Sequence, residues 1–330
     1  MLDPALSECF AAGLAAIWPE GAAPDARLGL AVSGGPDSLA MLLLAHAALP
    51  GRIEAATVDH GLRPDSAGEA AMVNALCAQL GVPHAILKVE VADGNLQSEA
   101  RSARYGALAA WVAAQLLSGL ATAHHADDQA ETLLARLNRA SGVAGLAGVR
   151  PRGPIPGAPD DCKAPLLRPF LEWRRGELAD VVAAARILAV QDPSNNDPRF
   201  DRVRLRQALA QADWIDPAAL AQSAAHLADA DLALEWAARR EYHECVERDG
   251  MGVTYRPRAP RAIALRVLAR IIRELDGSQP RGAALARLFD SLVRREPVSI
   301  GNLVARALPG GWSFTPAPKR RSAPPVKAPS

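Results

Sequence analysis

The chain has 330 residues, 49% of them hydrophobic and 22% charged, so it can bury a full core, and disorder is excluded for most of its length. Its four cysteines are widely scattered and form no CxxC pair, which favours neither a disulfide framework nor a zinc or iron–sulfur site. The formal net charge is +1, but residues 251–330 hold 15 Lys and Arg against 4 Asp and Glu, a net charge of +11. This segment is basic enough to attract a polyanion.

The amino-terminal residues argue against export. Asp3 and Glu8 stand where a secretory signal would need positive charge ahead of an apolar core, so we expect a cytoplasmic protein. Residues 105–123 lack charge, but they are rich in Ala and are interrupted at Gln115 and Gly119. A membrane span needs about 20 predominantly apolar residues. We therefore expect a helix followed by a buried strand, and no membrane contact.

Short apolar runs alternate with longer helical patterns through the first part of the chain. The predicted strands are residues 27–33, 53–58, 84–89 and 119–123. The predicted helices are residues 38–48, 66–80, 98–115, 127–137 and 173–185. This alternation implies right-handed βαβ crossovers. We predict an α/β fold with a doubly wound, mostly parallel, Rossmann-like sheet, in which ligands bind at the carboxyl ends of the strands.

The later part of the chain has a different pattern. Residues 150–165 are rich in Pro and Gly and predict an irregular loop, and residues 192–198 form a turn cluster. Beyond Asp216, an Ala- and Leu-rich run to Glu247 predicts a long helix that opens a mostly helical second domain. The Pro-rich, basic end predicts a disordered tail.

The strongest motif is Ser33-Gly34-Gly35-Pro36-Asp37-Ser38, between a predicted strand and a predicted helix. Two glycines let backbone N–H groups approach a phosphate, the helix N-terminus adds favourable partial charge, and the hydroxyls can donate to phosphate oxygens. Neither a Walker GK[ST] nor a GxGxxG pattern is present. Asp37 would repel a phosphate unless a divalent cation intervened, which suggests Mg²⁺. The alternative is a tight turn with Asp37 as an N-terminal helix residue.

Polar groups also follow the other predicted strands. VDHGLR at residues 58–63 places Asp59 and His60 at the same sheet edge as the glycine loop, and NLQSEARSARY at residues 95–105 puts Arg101 and Arg104 near the start of a helix.

The segment TAHHADDQAET at residues 122–132 is dense in titratable groups. Asp128 and Glu131 are three residues apart and share a helix face, with His124 and His125 just before the helix. A transition-metal site is one alternative, although the i, i+4 His pair of HExxH is missing and adjacent histidines point in different directions. A structural role in capping and salt bridges is another.

The motif SGGxDS resembles the signature of the PP-loop ATP pyrophosphatase superfamily. The remaining blocks look like the tRNA(Ile)-lysidine synthetase family over roughly residues 27–210, in that family's order. These blocks are VDHGLR, the N-Q-AR-RY pattern of residues 95–105, TAHHADDQAET, Arg139-Ala140-Ser141-Gly142 with Gly145-Leu146, LLRPF at 166–170 and DPSNND at 192–197.

The resemblance implies an enzyme that adenylates the carbon-2 oxygen of the wobble cytidine in tRNA(Ile) with a CAU anticodon, after which the side-chain amine of free lysine displaces AMP. It implies ATP and Mg²⁺ as cofactors, and no required protein partner. The domains it implies are a PP-loop ATP-binding catalytic domain at residues 1–212, a helical tRNA-binding extension at residues 213–316 and a disordered tail at residues 317–330.

The same resemblance implies roles for individual residues. The ATP-binding residues are Ser33, Gly34, Gly35, Pro36, Asp37, Ser38 and Asp59, with Asp37 also holding Mg²⁺ through the phosphates. The lysine-binding residues are His124, Asp128 and Glu131. The catalytic residues are Asp37, Asp128, Arg104 and Arg202, the arginines stabilising phosphate or the adenylated intermediate.

Two positions depart from the family's pattern. Ala140 stands where Gly is usual and Val203 where Asn is common, and neither change removes a proposed catalytic group.

Two other functions fit part of the sequence. A tRNA thiolation enzyme of the same superfamily would generally need paired or catalytic cysteines, and none of the four here stands beside a proposed site residue. A non-catalytic nucleotide- or tRNA-binding protein would keep the glycine loop but would not need Asp128 and Glu131.

Overall fold

The structure is a computed structural model that describes residues 3–61, 66–90, 96–159, 161–190, 199, 201–250 and 252–317. The chain divides into two compact units, Met1–Ala228 and Asp229–Ser330. The functional boundaries after residues 212 and 316 stay predictions. None of the described helices is long and apolar enough to cross a membrane.

A six-stranded sheet forms the centre of the first unit. Its strands are β1 (Leu28–Ala31), β2 (Ile53–Asp59), β3 (His84–Lys88), β4 (Gly119–Ala121), β5 (Arg152–Pro154) and β6 (Pro165–Leu167). Their order is β3-β2-β1-β4-β6-β5, with β5 alone antiparallel to its neighbour. The predicted doubly wound, mostly parallel sheet is confirmed. The winding changes direction between β1 and β4, where open sheets of this kind bind ligands.

Helices cover both faces of this sheet. The helices up to residue 245 are α1 (Pro4–Ile17), α2 (Pro36–Ala48), α3 (Ser66–Leu80), α4 (Leu96–Ala114), α5 (Ala126–Leu137), α6 (Val143–Leu146), α7 (Arg175–Ala184), α8 (Asp201–Gln211) and α9 (Pro217–Cys245). The last of these, α9, begins in the first unit and ends in the second. Every strand and helix predicted for residues 27–137, and the helix predicted for residues 173–185, lies within two residues of its predicted bounds.

The side chains of the sheet alternate between two apolar clusters, as strands buried on both faces require. Ala55 and Leu167 pack in the cluster that contains α2, whereas Ala56 and Leu166 pack with α4 on the other face. In α2 every residue of the run Ser38–Ala45 is buried. The helix that follows the glycine loop is therefore fixed in the core.

The prediction of an irregular loop at residues 150–165 is wrong at both ends, where the structure has strands. Residues 152–154 form the edge strand β5, which pairs with β6 so that Pro154 lies opposite Pro165. Pro154 ends β5 and Pro165 begins β6, positions at which a missing N–H interferes little with the sheet.

The second unit combines helices with an antiparallel sheet. Its further elements are β7 (Val246–Asp249), β8 (Gly252–Tyr255), α10 (Arg261–Asp276), α11 (Gly282–Val293), β9 (Val298–Ile300), β10 (Leu303–Leu308) and β11 (Gly311–Pro316). The strand order is β7-β8-β11-β10-β9. Leu268 and Ile271 of α10 share an apolar cluster with Phe314 of β11. The predicted long helix is present as α9, but the sheet was not predicted, so this region is both helical and sheet-containing.

Parts of several sequence motifs lie outside the described residues. They are Leu62 and Arg63, Asn95, residues 192–198, Phe200 and the tail from residue 318.

Candidate active site

The loop between β1 and α2 has a backbone that depends on glycine. Gly34 has a φ of +86°, in the left-handed region, and a Cβ there would lie 3.1 Å from Val190 Cγ2. Ser33 N–H donates to Ser38 Oγ at 3.1 Å, and Ser38 Oγ donates to the Gly35 carbonyl at 3.0 Å. Gly35 is the N-cap of α2, and no described side chain caps that first turn. A helix N-terminus whose N–H groups lack a side-chain cap is suited to an anion. We call residues 33–38, from this loop into the first turn of α2, the anion loop.

Asp37, in the first turn of α2, contacts His125, which follows β4. His125 Nε2 lies 3.6 Å from Asp37 Oδ2 and 3.7 Å from Asp128 Oδ2, and His125 Nδ1 lies 3.5 Å from Asp127 Oδ2. Because β1 and β4 are adjacent parallel strands, the segments that follow them meet at one sheet edge. The anion loop and the acidic segment of α5 therefore form a single site.

His125 is 3% exposed and carries a proton. Burial is the largest single influence and favours the neutral ring, but the carboxylates of Asp127, Asp37 and Asp128 together outweigh it and raise the pKa of His125 to about 9. The His125 imidazolium in turn holds the pKa of Asp127 at about 2, helped by a hydrogen bond from the Arg175 N–H at 2.9 Å. One buried cation thus balances part of the charge of three carboxylates.

Two guanidinium groups of α8 reach the acidic face of α5. Arg202 Nε donates to Glu131 Oε2 at 2.7 Å, while Arg202 Nη2 donates to Asp128 Oδ1. Arg206 Nε donates to Glu131 Oε1 at 2.7 Å. Burial would raise the pKa of Glu131, but the hydrogen bonds from Arg206 and Arg202 hold it below its ordinary value. We call Asp128, Glu131, Arg202 and Arg206 the carboxylate–guanidinium cluster.

His124 differs from its neighbour in both contacts and charge. Its Nδ1 lies 3.0 Å from Thr122 Oγ1. Burial lowers the pKa of His124 to about 3, Asp128 opposes this shift, and the charges of Arg168 and Arg101 reinforce it. The ring is therefore neutral at physiological pH and can accept or donate a hydrogen bond without adding charge.

Arginines concentrate around Tyr105 of α4. The guanidinium carbons of Arg101 and Arg104 lie 5.0 and 5.4 Å from the Tyr105 ring centroid. Arg168 is 8% exposed. Burial lowers the pKa of Arg104, and the charge of Arg101 acts in the same direction. Within the described part of the chain, no carboxylate forms an ion pair with Arg101, Arg104 or Arg168, so this positive charge is suited to an anionic ligand.

Asp59 ends β2 at the same sheet edge. Its Oδ1 accepts a hydrogen bond from the Gly61 N–H at 2.9 Å, and this bond lowers the pKa of Asp59. Among the residues that the structure describes, no direct contact joins Asp59 to the anion loop or to the carboxylate–guanidinium cluster.

The anion loop has a carboxylate oxygen that could serve as a ligand to a hard divalent cation. Asp37 Oδ1 is buried and accepts no hydrogen bond from the described residues. Buried polar atoms are nearly always satisfied, and Mg²⁺ prefers carboxylate and phosphate oxygens. The unsatisfied oxygen in the anion loop is therefore consistent with a cation held between Asp37 and a phosphate.

Two residues of this site received no role from the sequence. His125 stands beside His124 at the start of α5, and the resemblance gave a role only to His124. Arg206 stands four residues after Arg202, one helical turn along α8, and this spacing was the available signal.

The two departures from the family's pattern have different structural settings. Ala140 has a φ of +51°, in the left-handed region that favours the usual Gly. Val203 is 7% exposed and lies on the buried side of α8, where an apolar side chain is readily accommodated.

Comparisons with known proteins decide the family. The model of the family described as PP-loop domain matches residues 7–213. The tRNA(Ile)-lysidine synthase of Novosphingobium aromaticivorans is 46% identical over 302 residues, covering 91% of this chain and 91% of that protein. The chain belongs to the tRNA(Ile)-lysidine synthase family. The member from Zymomonas mobilis is 40% identical over 303 residues and covers 90% of each chain.

A solved structure agrees with this fold. The U34-tRNA thiolase NcsA from Methanococcus maripaludis, solved with its [4Fe-4S] cluster, superposes with a TM-score of 0.54 at 14% identity, covering 68% of this chain and 78% of that one. At this identity the likeness concerns the PP-loop fold alone. As a member of the tRNA(Ile)-lysidine synthase family with an ATP-binding PP-loop domain, the chain is an ATP-using ligase.

Proposed function

We propose that this protein ligates free lysine to carbon 2 of the wobble cytidine of tRNA(Ile) with a CAU anticodon, using ATP and releasing AMP and pyrophosphate. The observation that carries the proposal is the 3.6 Å contact between Asp37 and His125, which sets the anion loop beside the carboxylate–guanidinium cluster. The cytosine reacts first with ATP and then with an amine. The binding sites for ATP and for the amine must therefore both lie within reach of its reacting atoms.

We assign the first step to the anion loop. The base oxygen attacks the α-phosphorus of ATP, the bond to the β-phosphate oxygen breaks, and pyrophosphate leaves. We assign the phosphates to the backbone N–H groups at Gly34 and Gly35 and to the hydroxyls of Ser33 and Ser38. The Ser38 O–H donates to the Gly35 carbonyl here, so it would exchange that acceptor for a phosphate oxygen. Asp37 would hold Mg²⁺, which would supply charge neutralisation for the pyrophosphate leaving group. Asp59 is assigned to the nucleotide from its place at the neighbouring strand end.

We assign the lysine ammonium to Asp128 and Glu131, with neutral His124 beside them. Free lysine brings a cation on a flexible chain, and two carboxylates on one helix face provide its counter-charge. Glu131 is 3% exposed, so an ammonium bound there is largely removed from water and its attraction to the carboxylate is strong.

Arg202 connects the two steps. In the structure Arg202 donates hydrogen bonds to both Glu131 and Asp128, the two carboxylates assigned to the lysine ammonium. We infer that Arg202 exchanges partners, leaving the carboxylates as lysine enters and turning to the phosphate of the adenylated base. Its side chain is 51% exposed, so it has room to move, while Arg206 keeps a hydrogen bond to Glu131 throughout. Arg104 would stabilise the same phosphate from α4.

In the second step the lysine side-chain nitrogen forms a bond to carbon 2. The bond between carbon 2 and its oxygen breaks, and AMP leaves carrying that oxygen. The ammonium must first lose a proton. Asp128 is the candidate acceptor, because it lies at the junction of the cluster with His125 and is 14% exposed at its side chain.

The basic carboxyl-terminal segment is the candidate surface for tRNA. Its +11 net charge predicts binding that weakens as salt rises. We expect the reaction to require no protein partner, and a cytoplasmic location stays a prediction.

Thiolation of tRNA is the competing reaction. Burial raises the pKa of the Cys77 thiol to about 11, so this cysteine is protonated at neutral pH and is a poor nucleophile. Cys245 is also buried, and burial raises its pKa as well. These settings argue against Cys77 and Cys245 as carriers of sulfur for the second step.

The test is release of AMP from ATP by the full-length protein with a CAU-anticodon tRNA(Ile) transcript, each with and without lysine. We expect turnover only when ATP, tRNA and lysine are all present. Equal turnover without lysine would refute the proposed second substrate, and turnover without tRNA would refute the proposed acceptor.

A further inference from the structure

A cleft between α5 and α8 stands next to the carboxylate–guanidinium cluster and has no assigned role. Its volume is about 340 Å³, within the range of small-molecule sites. Its lining residues are Ala135, Asn138, Arg139, Asp201, Arg204, Leu205 and Ala208. We call it the α5–α8 cleft.

The lining has an apolar part, Ala135, Leu205 and Ala208, which we call the floor, and a polar part, Asn138, Arg139, Asp201 and Arg204, which we call the rim. Ala135, Leu205 and Ala208 offer small apolar surfaces, against which a flat ring can lie. Asn138 contributes a carboxamide, which can both donate to and accept from the edge of a base. A hydrophobic floor with an amide at its rim is suited to a nucleobase.

The rim also carries exchangeable positive charge. Asp201 pairs with Arg204 and lies 3.9 Å from Arg139, and the side chains of all three residues are at least 61% exposed. Ion pairs this exposed contribute little stability and are readily exchanged for another anion. Two guanidiniums against one carboxylate leave a net positive rim, as a phosphate requires.

The position of the cleft limits which nucleotide it can take. Asn138 follows Glu131 by seven residues on α5, about 10 Å along the helix axis. Stacked nucleotides rise by about 3.4 Å per step, and unstacked ones extend further. A nucleotide in the cleft is therefore one to three positions away from the cytidine whose carbon 2 reacts with the lysine bound at the cluster.

From this geometry we propose that the α5–α8 cleft binds a nucleotide that flanks the modified cytidine in the single-stranded anticodon loop. Its base lies on the floor formed by Ala135, Leu205 and Ala208, and its phosphate pairs with Arg139 and Arg204. This inference rests on the proposed function, because it takes tRNA as the substrate. It adds a specificity site separate from the reacting groups.

The first test fills the cleft without changing charge. The variant Ala208→Phe is compared with Gln207→Ala, the exposed neighbour outside the lining, for binding of the full-length protein to a synthetic anticodon stem-loop. The stem-loop is used intact and with an abasic site at each flanking loop position in turn. We expect one abasic position to weaken wild-type binding by roughly 5- to 100-fold, the contribution of one stacked base. Ala208→Phe should bind the intact loop with that weaker affinity and lose sensitivity to the same abasic position.

The second test removes rim charge and remains informative if Ala208→Phe fails to fold. Arg139→Gln and Arg204→Gln are compared with Arg186→Gln, an exposed arginine outside the lining. Each rim variant should reduce the slope of log affinity against log salt by about 0.7, the value for one single-strand phosphate contact, and the control should not. The KM for ATP and for lysine should be unchanged.

The outcomes separate the two proposals. Wild-type protein that consumes ATP with lysine and tRNA, while cleft variants bind every stem-loop as the wild type does, overturns the cleft and leaves the proposed function standing. Wild-type protein that neither binds nor modifies the CAU loop refutes the proposed function, and the cleft proposal with it.

Discussion

Arg202 Nε lies 2.7 Å from Glu131 Oε2, and the same guanidinium also donates to Asp128. Seventy-one residues separate Arg202 from Glu131 in the sequence. The two carboxylates assigned to a substrate ammonium are thus occupied by a cation from the protein. This arrangement keeps a buried acidic pair satisfied before the substrate arrives. Arg202 and the substrate lysine therefore compete for the same two carboxylates, Asp128 and Glu131.

The competition predicts an unusual kinetic result for Arg202→Gln. Removing the guanidinium frees Asp128 and Glu131, so the KM for lysine should not rise, whereas the maximal rate should fall by at least about 100-fold because transition-state charge loses its partner. Steady-state kinetics with lysine as the varied substrate measures both parameters. Arg206→Gln is the control and should raise the KM for lysine, since Arg206 only positions Glu131. A large rise in the lysine KM of Arg202→Gln with an unchanged rate would contradict partner exchange.

Gly34→Ala should damage both folding and ATP binding. Its φ of +86° costs an L-residue about 1–2 kcal/mol, and the new Cβ would lie 3.1 Å from Val190. Gly51→Ala is the matched control, because Gly51 has a φ of +73° with nothing within 4 Å of the added Cβ. Urea unfolding should show a loss of stability in both variants, whereas the KM for ATP should rise only in Gly34→Ala. Equal effects on ATP in the two variants would refute the role of the anion loop.

The charge on His125 predicts a pH dependence of stability. The pKa of His125 is raised to about 9 from an unfolded value of about 6.5, so its contribution to folding is fully present below pH 6.5 and is lost as pH rises through 9. The shift corresponds to roughly 3 kcal/mol. We expect His125→Gln to be much less stable than the wild type at pH 6 and to approach it above pH 9, measured by urea unfolding across this range. A difference in stability that stays constant from pH 6 to pH 10 would show that His125 is neutral in the folded protein.

Ala140→Gly should stabilise the protein. Ala140 has a φ of +51°, and relief of this conformation exceeds the extra backbone entropy that Gly loses on folding, giving a net gain of about 0.5–1 kcal/mol. Ala210→Gly in the helix α8 is the opposite control and should cost up to about 1 kcal/mol. Thermal unfolding of the two variants compares them directly. A lower melting temperature for Ala140→Gly would mean that Ala140 is not strained.

The first unit could be predicted closely because its information is local. Each strand from β1 to β4 is an apolar run followed by a helical pattern, and the motif residues stand where those strands end. The edge strand β5 was missed because Pro and Gly dominate its surroundings, and its pairing with β6 is not visible in local sequence. The sheet of the second unit was missed because its strands have only three to six residues, too few for a clear alternating pattern.

The site could be predicted only in part for a similar reason. The spacing of Asp128 and Glu131 placed them on one helix face, and the structure confirms this. Their pairing with Arg202 and Arg206, and the contact of His125 with Asp37, join segments far apart in the chain. Such contacts depend on how the strands are ordered in the sheet, which periodicity does not determine.

The central claim is that lysine, bound beside the anion loop, becomes part of the wobble base. The most direct test is mass spectrometry of nucleosides from a CAU-anticodon tRNA(Ile) transcript after incubation with the full-length protein, ATP and isotope-labelled lysine. We predict a cytidine that carries the whole labelled lysine at the wobble position and is absent with Asp128→Ala. An unmodified wobble cytidine, or one that carries sulfur and no label, would contradict the account.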